Sequence, residues 1–280
     1  MFFNEFKSNN ILDKCVEFTH YLCYYFSMER IKLVVQYDGK DFKGWQIQPN
    51  KRTVEGELEK VLEFLMKEKV KTYASGRTDS GVSSYGQVVH FDTEQNVNTK
   101  KLLVSLNGLL PEDIAVTECE NVPETFDARF SVKQKTYQYR FYVSRFRLPL
   151  FEDRAFRVND NVSLGKMNDA CRFLIGTHDF GSFVSKKSGK TDFVRTIFDA
   201  KIVEVQENLF AFEVTGNGFL YNMVRIMFGT ILKAGYGQIQ PQDITDILNG
   251  KNRALAGKTM PPKGLVMKKV EYLETKTTKN

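Results

Sequence analysis

Apolar residues recur along the chain at two spacings, every second position in some stretches and every third or fourth position in others. The first spacing is typical of strands with one buried face, and the second of helices that pack along one side. Strands are predicted at 30–37, 70–74, 87–91, 113–119, 135–143, 195–206, 209–215 and 265–272. Helices are predicted after Thr53 and at 100–110, 164–174 and 219–234.

The order of these elements predicts the fold class. Helices and strands are mixed without regular βαβ alternation, which indicates an α+β protein with a largely antiparallel sheet. The second half repeats the first in outline, although no short sequence repeat is visible. With 280 residues, of which 42% are hydrophobic, the chain can form two medium domains without disulfides or a structural metal.

Charge and cysteine content indicate the kind of binding partner and the cellular compartment. The chain carries 40 Lys and Arg against 34 Asp and Glu, a net charge of +6, which favours a polyanionic partner, although many basic proteins bind none. Four cysteines and three histidines are scattered without CxxC spacing, so the sequence predicts neither a zinc site nor a disulfide framework. A reduced, cytoplasmic compartment fits this pattern.

The segment 1–27 is rich in aromatic residues but has no apolar run long enough to cross a bilayer. It also lacks the basic start and the small-residue cleavage site of a signal peptide. We interpret it as an extension outside the fold, produced by translation upstream of a start at Met28. The alternative is a short amphipathic anchor or a helix that binds a partner. No other stretch resembles a membrane span.

A glycine-flanked loop, Gly76 to Gly81, separates two predicted strands and contains the triplet Arg77-Thr78-Asp79. Charged residues between glycines are poor core material, and glycine allows a tight turn or close approach to a ligand. Asp79 has three simple explanations: a turn former, an N-cap, or a partner for Arg77. The functional hypothesis is a catalytic carboxylate, which must stay ionised while partly buried.

Arg225 and Tyr137 are the residues we expect near Asp79. An arginine in the apolar helical run 221–228 needs a counter-charge, and a guanidinium would lower the pKa of a nearby carboxyl. The alternative is a side chain that extends to solvent. Tyr137 and Tyr139 share one side of their strand, where an exposed tyrosine stacks on a base or, alternatively, packs as an ordinary strand residue.

Basic and aromatic residues alternate in and around the same strand, a pattern that suits a nucleic-acid backbone. The basic residues are Arg129, Lys133, Lys135, Arg140, Arg145 and Arg147. A solvated charged face is the alternative. The stretch 185–190, with Lys186 and Lys187, is interpreted as a basic flap or, equally well on composition, a plain linker.

An ordered set of motifs carries a family resemblance. From about Met28 onwards, the chain resembles the tRNA pseudouridine synthase A (TruA) family. The matching motifs are Tyr37-Asp38-Gly39, Gly44-Trp45-Gln46, Gly76-Arg77-Thr78-Asp79, Gly86-Gln87-Val88-Val89-His90-Phe91, Asp127-Ala128-Arg129-Phe130, Tyr137-Gln138-Tyr139 and Asn222-Met223-Val224-Arg225.

The resemblance implies a pseudouridine synthase fold with two RRM-like α+β lobes around a largely antiparallel central sheet and a cleft between them. On it we expect an N-terminal lobe at 28–125, a C-terminal lobe at 126–275 and a tail at 276–280. It also implies a homodimer that binds the anticodon stem-loop of tRNA. The implied reaction isomerises uridines 38, 39 and 40 to pseudouridine without a cofactor or metal.

The resemblance also implies roles for individual residues. Asp79 matches the essential carboxylate, Arg225 its partner, and Tyr137 the aromatic residue that stacks on uracil. Arg77 matches the residue that enters the stem and holds the base flipped out, and Leu265 an apolar wall of the pocket. The residues expected to bind tRNA are Arg77, Phe126, Asp127, Ala128, Arg129, Phe130, Arg145, Lys186 and Lys187.

The sequence departs from the family pattern just after the aspartate. The family commonly has Ala-Gly-Val-His there, whereas this chain has Ser80-Gly81-Val82-Ser83. The missing histidine leaves open the same chemistry on other RNA uridines. A binding protein or RNA chaperone without turnover is a further alternative. The sequence also leaves three routes for Asp79: attack on sugar C1′, addition to uracil C6, or removal of a sugar proton.

Overall fold

A computed structural model describes residues 28–185 and 192–273. Its strands are β1 Glu29–Tyr37, β2 Tyr73–Ala74, β3 Ser83–Thr93, β4 Ile114–Val122, β5 Val132–Val143, β6 Phe156–Val158, β7 Gly176–Asp179, β8 Val194–Gln206, β9 Leu209–Gly216 and β10 Leu265–Tyr272. Its α-helices are α1 Val54–Met66, α2 Thr99–Leu109, α3 Leu164–Arg172, α4 Met223–Gly235 and α5 Asp243–Asn249. The proposed extension 1–27, the tail 276–280 and the flap residues Lys186 and Lys187 lie outside the described residues.

One sheet runs through the described part of the chain in the order β4-β1-β3-β10-β5-β9-β8-β7, and β2 and β6 pair with β3 and β5. Neighbours are antiparallel except for β10 with β3 and β5 with β6. The predicted α+β class with a largely antiparallel sheet is confirmed. β10 lies between β3 and β5, so the last strand joins the two halves of the sequence.

The helices form where caps and apolar spacing predict them. Thr53 caps α1, as expected, because its hydroxyl accepts the N–H of Gly56 at 3.3 Å. Val54, Leu58 and Leu62 on α1 are buried. They belong to a hydrophobic cluster with β1, β3, β4 and α2, whereas α4 lies in a larger cluster with β5, β9 and β10. Each half of the sheet therefore has its own packed face.

Several elements differ from the predictions. The helix predicted from 219 begins at Met223, because Asn222 has a left-handed φ of 61° that interrupts helical geometry. Of the strand predicted at 70–74, only Tyr73–Ala74 pairs with β3. β6, β7 and α5 were not predicted, because three to seven residues are too few to show a clear period.

Within residues 28–185 and 192–273, no helix has the length and apolarity required to cross a membrane. The same residues contain no group of three or more His, Cys, Asp or Glu side chains arranged to hold a metal ion.

Candidate active site

The loop that carries Asp79 leaves the short strand β2 and enters β3, and its first turn is fixed by buried polar contacts. Gln87 on β3 donates from Nε2 to the carbonyl of Gly76 and accepts the hydroxyl of Ser75 at 2.6 Å. Lys135 on β5 donates from Nζ to the carbonyl of Ser75. The loop is therefore held by strands from both halves of the sheet.

The structure brings Asp79 and Arg225 together across 146 positions of sequence. Arg225 donates from Nη1 to Oδ2 of Asp79 at 3.2 Å, and their side chains are 15% and 18% exposed for Arg225 and Asp79 respectively. The same guanidinium donates to Oδ1 of Asn222 and to the carbonyl of Met260, both at 2.6 Å. These three acceptors fix the guanidinium in the site, so Arg225 does not extend to solvent.

The pKa of Asp79 differs from the sequence expectation. Burial raises it above the usual carboxyl value, and the charge and hydrogen bond of Arg225 lower it without offsetting that rise. From the sequence we expect Arg225 to lower the pKa of Asp79, but burial in the folded protein has the larger and opposite effect. Arg225 therefore limits the increase, and Asp79 holds its proton more tightly than an exposed aspartate.

This pKa direction predicts how stability depends on pH. Because the folded-state pKa of Asp79 is raised, its contribution to stability is fully present below the unfolded pKa of about 4 and is lost as pH rises through the folded pKa. Asn cannot ionise, so Asp79→Asn does not undergo this loss. The melting temperature of Asp79→Asn minus that of the wild type is expected to increase between about pH 4 and pH 7. A difference that decreases over this range would contradict the assignment.

Tyr137 lies beside Asp79 but is less exposed than the stacking hypothesis assumed. Its side chain is 8% exposed, and its ring packs edge-on against Phe219 at 5.1 Å between centroids. Burial raises the pKa of Tyr137 above its usual value, and the nearby Tyr37 and Asp79 add to the increase. Tyr139, on the same side of β5, is fully buried and donates its hydroxyl to the carbonyl of Pro261 at 2.8 Å. Tyr137 thus forms a neutral aromatic surface near the carboxylate.

Leu265 is the first residue of β10 and pairs with Tyr139 of β5. It is buried in the same hydrophobic cluster as Tyr137. The strand therefore places this apolar side chain in the same core as Tyr137, and its role as a pocket wall stays a prediction.

Arg77 is exposed and makes no hydrogen bond or ion pair within the described ranges. It lies two residues before Asp79, yet it is not the counter-ion of that carboxylate. The structure therefore separates the two charges of the Arg-Thr-Asp triplet into one partly buried group and one solvent-facing group.

The segment 126–130 forms a turn held by Asp127. Its Oδ1 accepts the N–H groups of Arg129 at 2.7 Å and Phe130 at 2.8 Å. The guanidinium of Arg129 lies 5.2 Å from the centre of the Phe130 ring, and both side chains are exposed. Phe126 and Ala128 are buried instead. Their side chains shape the turn from inside, and within this segment only Arg129 and Phe130 have exposed side chains.

Arg145 repeats this arrangement in the loop after β5. Its guanidinium lies 5.6 Å from the centre of the Phe146 ring, and both residues lie at the surface. The backbone carbonyl of Arg145 accepts a hydrogen bond from Arg157 at 2.8 Å. The loop thus holds a second surface pair of an arginine and an aromatic ring.

Three residues of the site received no role from the sequence. Asn222 and the carbonyl of Met260 hold Arg225, and Thr78 makes a buried contact with Tyr37. Asn222 and Thr78 lie within the motifs that carry the family resemblance, so the sequence gave a signal for both residues. A backbone carbonyl such as that of Met260 gives none in a sequence.

The chain is similar in sequence to known proteins over most of its length. The family described as tRNA pseudouridine synthase matches residues 33–131 and 170–273. The relatives named tRNA pseudouridine synthase A include proteins of Anoxybacillus flavithermus, Exiguobacterium sp. and Bacillus subtilis. They are 48%, 44% and 43% identical to this chain over 246, 245 and 245 residues. The matches cover 88%, 88% and 87% of this chain and 99%, 98% and 99% of the relatives.

Among solved structures, a chain of a Cbf5-Nop10-Gar1 complex matches 72% of this chain and 54% of its own length. Its sequence identity is 12% and its TM-score is 0.29, so it supports no conclusion about this chain. The sequence relatives and the family match cover most of the chain and include the loop of Asp79 and the helix of Arg225. The chain belongs to the tRNA pseudouridine synthase family.

Proposed function

We propose that the chain isomerises uridine to pseudouridine at positions 38, 39 and 40 in the anticodon stem-loop of tRNA. The observation that carries the proposal is the partly buried pair of Asp79 and Arg225 beside the ring of Tyr137. It supports a catalytic carboxylate, in a chain whose relatives are named tRNA pseudouridine synthase A.

The chemistry is a rearrangement in which the product has the same atoms as the substrate. The C–N glycosidic bond breaks, the freed uracil rotates, and a bond to C5 of uracil replaces it while the C5 proton passes to nitrogen. The target base must leave its stack and be retained during the rotation. A small closed site with one carboxylate suits this sequence of steps. Asp79 acts on sugar C1′, on uracil C6 or on a sugar proton, and each route requires its ionised form.

The remaining residues have supporting roles in this proposal. Arg225 limits the rise in the pKa of Asp79 and holds its carboxylate in place. Tyr137 stacks on the flipped uracil, and Leu265 forms an apolar wall of the pocket. Arg77, which is exposed two residues before Asp79, enters the stem and holds the base out.

For tRNA binding, we propose that Arg129, Phe130 and Arg145 contact the RNA directly. Phe126, Asp127 and Ala128 give the turn its shape. Lys186 and Lys187, which lie outside the described residues, complete the set as basic contacts. The family resemblance supports a cytoplasmic homodimer with lobes at 28–125 and 126–275. It also supports a reaction without a cofactor.

These assignments predict that substitutions of Arg129 and Arg145 affect tRNA binding, whereas substitution of Arg77 affects turnover. Arg129→Ala and Arg145→Ala are each expected to weaken tRNA binding and to reduce the slope of log Kd against log salt by about one. Arg77→Ala is expected to lower turnover more than binding, because the base is no longer held out. Arg172→Ala, which changes an exposed arginine at the end of α3, is the control. Equal losses of binding for Arg77, Arg129 and Arg145 variants would contradict the division.

Two alternatives remain. The Ser83 departure leaves other RNA uridines open as targets. In the structure, the Ser83 hydroxyl accepts the N–H of Gly39 at 3.0 Å. An RNA-binding protein without turnover is disfavoured, because binding alone has no need of a partly buried carboxylate paired with arginine.

Pseudouridine mapping on RNA from cells with and without the protein separates these functions. Loss of pseudouridine at tRNA positions 38, 39 and 40 is the expected result. Loss at other uridines would favour the first alternative, and an unchanged map would favour the second.

A further inference from the structure

Asp79 is preceded by a threonine that is fixed through its side chain. The Thr78 hydroxyl lies 2.8 Å from the hydroxyl of Tyr37, and both residues are buried. Tyr37 ends β1 and pairs with Ser84 of β3 on one side and Ile114 of β4 on the other. Tyr37 is therefore held between two neighbouring strands of the sheet.

The backbone of Thr78 is fixed as well. Its carbonyl accepts the N–H of Trp45 at 3.1 Å. Gly44 has a φ of 96°, and a Cβ placed there would lie 2.8 Å from that carbonyl oxygen and 3.3 Å from the carbonyl carbon of Asp79. Only glycine allows this close approach without strain. Segment 44–45 thus packs directly against the backbone that carries the carboxylate.

This contact is in turn anchored to α1. The indole N–H of Trp45 donates to Oε1 of Glu55 at 3.2 Å, and the backbone N–H of Glu55 donates to the carbonyl of Trp45 at 3.0 Å. Thr78 is therefore connected to the sheet by its hydroxyl and to a helix by its carbonyl. A change in either contact would shift the next residue, Asp79.

We infer that Tyr37 and Thr78 are positioning residues that set where the carboxylate of Asp79 meets the substrate. The inference rests on the proposed function. Along the triplet, Arg77 faces solvent, Thr78 faces the core and Asp79 faces Arg225. The hydroxyl pair fixes the middle residue, and with it the directions of its two neighbours. Reacting groups must be placed closely, since a displacement of about 1 Å costs on the order of a hundredfold in rate.

The experiment is a double-mutant cycle with Tyr37→Phe, Thr78→Val and both together, measured on tRNA. Each single variant is expected to lower kcat about tenfold or more while KM stays within about twofold. The double variant is expected to be no slower than the slower single variant, because the same hydrogen bond is absent from all three. Thr78→Ser keeps the hydroxyl and is expected to restore kcat to within about threefold of the wild type.

Stability separates positioning from a general effect on folding. Tyr37→Phe leaves the buried Thr78 hydroxyl without this partner, whereas the double variant removes both hydroxyls and is expected to regain melting temperature. The expected kcat of the double variant stays low despite that recovery. Thr78→Val alone keeps the test available if Tyr37→Phe does not fold, because valine keeps the branched shape of threonine at this buried position.

Tyr142→Phe is the matched control, since Tyr142 is a fully buried tyrosine that donates its hydroxyl to Glu152 in a separate small cluster with Ala155 and Leu209. Its kcat is expected to stay at the wild-type value. Recovery of kcat together with stability in the double variant, or losses that multiply, would overturn the inference. Absence of pseudouridine formation by the wild type would instead overturn the proposed function.

Discussion

Asp79→Asn is expected to eliminate pseudouridine formation while tRNA binding persists. Asparagine keeps the size of the side chain but can neither attack carbon nor accept a proton as a carboxylate does. Turnover is therefore expected below about one thousandth of the wild-type rate, whereas Kd for tRNA stays within about threefold. The measurements are single-turnover kinetics on tRNA and equilibrium binding at one fixed salt concentration.

Asp153→Asn is a matched control for this substitution. Asp153 is an exposed carboxylate whose partner is Lys40 at 2.8 Å, and exposed pairs of this kind contribute little to stability. Its turnover is expected to equal that of the wild type. Appreciable turnover by Asp79→Asn would show that another group performs the chemistry, and loss of tRNA binding would show that Asp79 serves to hold the RNA.

Arg225→Gln is expected to move the acid limb of the pH dependence of kcat to higher pH by about one unit or more. Burial already raises the pKa of Asp79, and Arg225 is the group that opposes the rise. Without the guanidinium, desolvation acts unopposed and the pKa increases further. Since the carboxylate must be ionised, activity is then lost at a higher pH as the solution is acidified.

The position of the limb distinguishes this effect from a loss of folded protein, which lowers the amplitude of the profile at every pH. Arg225→Lys is the matched variant, because it keeps the charge but cannot reproduce the donor arrangement toward Asn222 and Met260. Its limb is expected to move less than that of Arg225→Gln. An unchanged limb in Arg225→Gln would show that the arginine does not control the ionisation of Asp79.

Much of the architecture was predictable, because the strongest signals in the chain are periodic. The strand at 265–272 has the bounds of β10, and Thr53 caps α1 as predicted. The pattern does not show which strands pair with β10, since nothing local to residues 265–272 indicates that they lie between β3 and β5. Sheet order depends on packing between distant segments.

The candidate site was likewise predictable only in part. A charged triplet between glycines indicated a functional loop, and an arginine in an apolar helix indicated a buried partner, so the pairing of Asp79 with Arg225 could be anticipated. The raised pKa of Asp79 could not, because it depends on how far burial exceeds the effect of the guanidinium. The inward packing of Phe126 and Ala128 likewise depends on contacts with distant strands, such as the bond from Ala128 N–H to Nδ1 of His90 at 3.0 Å.

Pseudouridine mapping at single-nucleotide resolution on an unmodified tRNA would examine both the role of Asp79 and the choice of target. The purified full chain and its Asp79→Asn variant are each incubated with the transcript without any added cofactor, and pseudouridine is then located along the RNA. We expect pseudouridine at one or more of positions 38, 39 and 40 with the wild type and none with the variant. Equal modification by both proteins would contradict the role of Asp79, and modification only at other positions would contradict the proposed target.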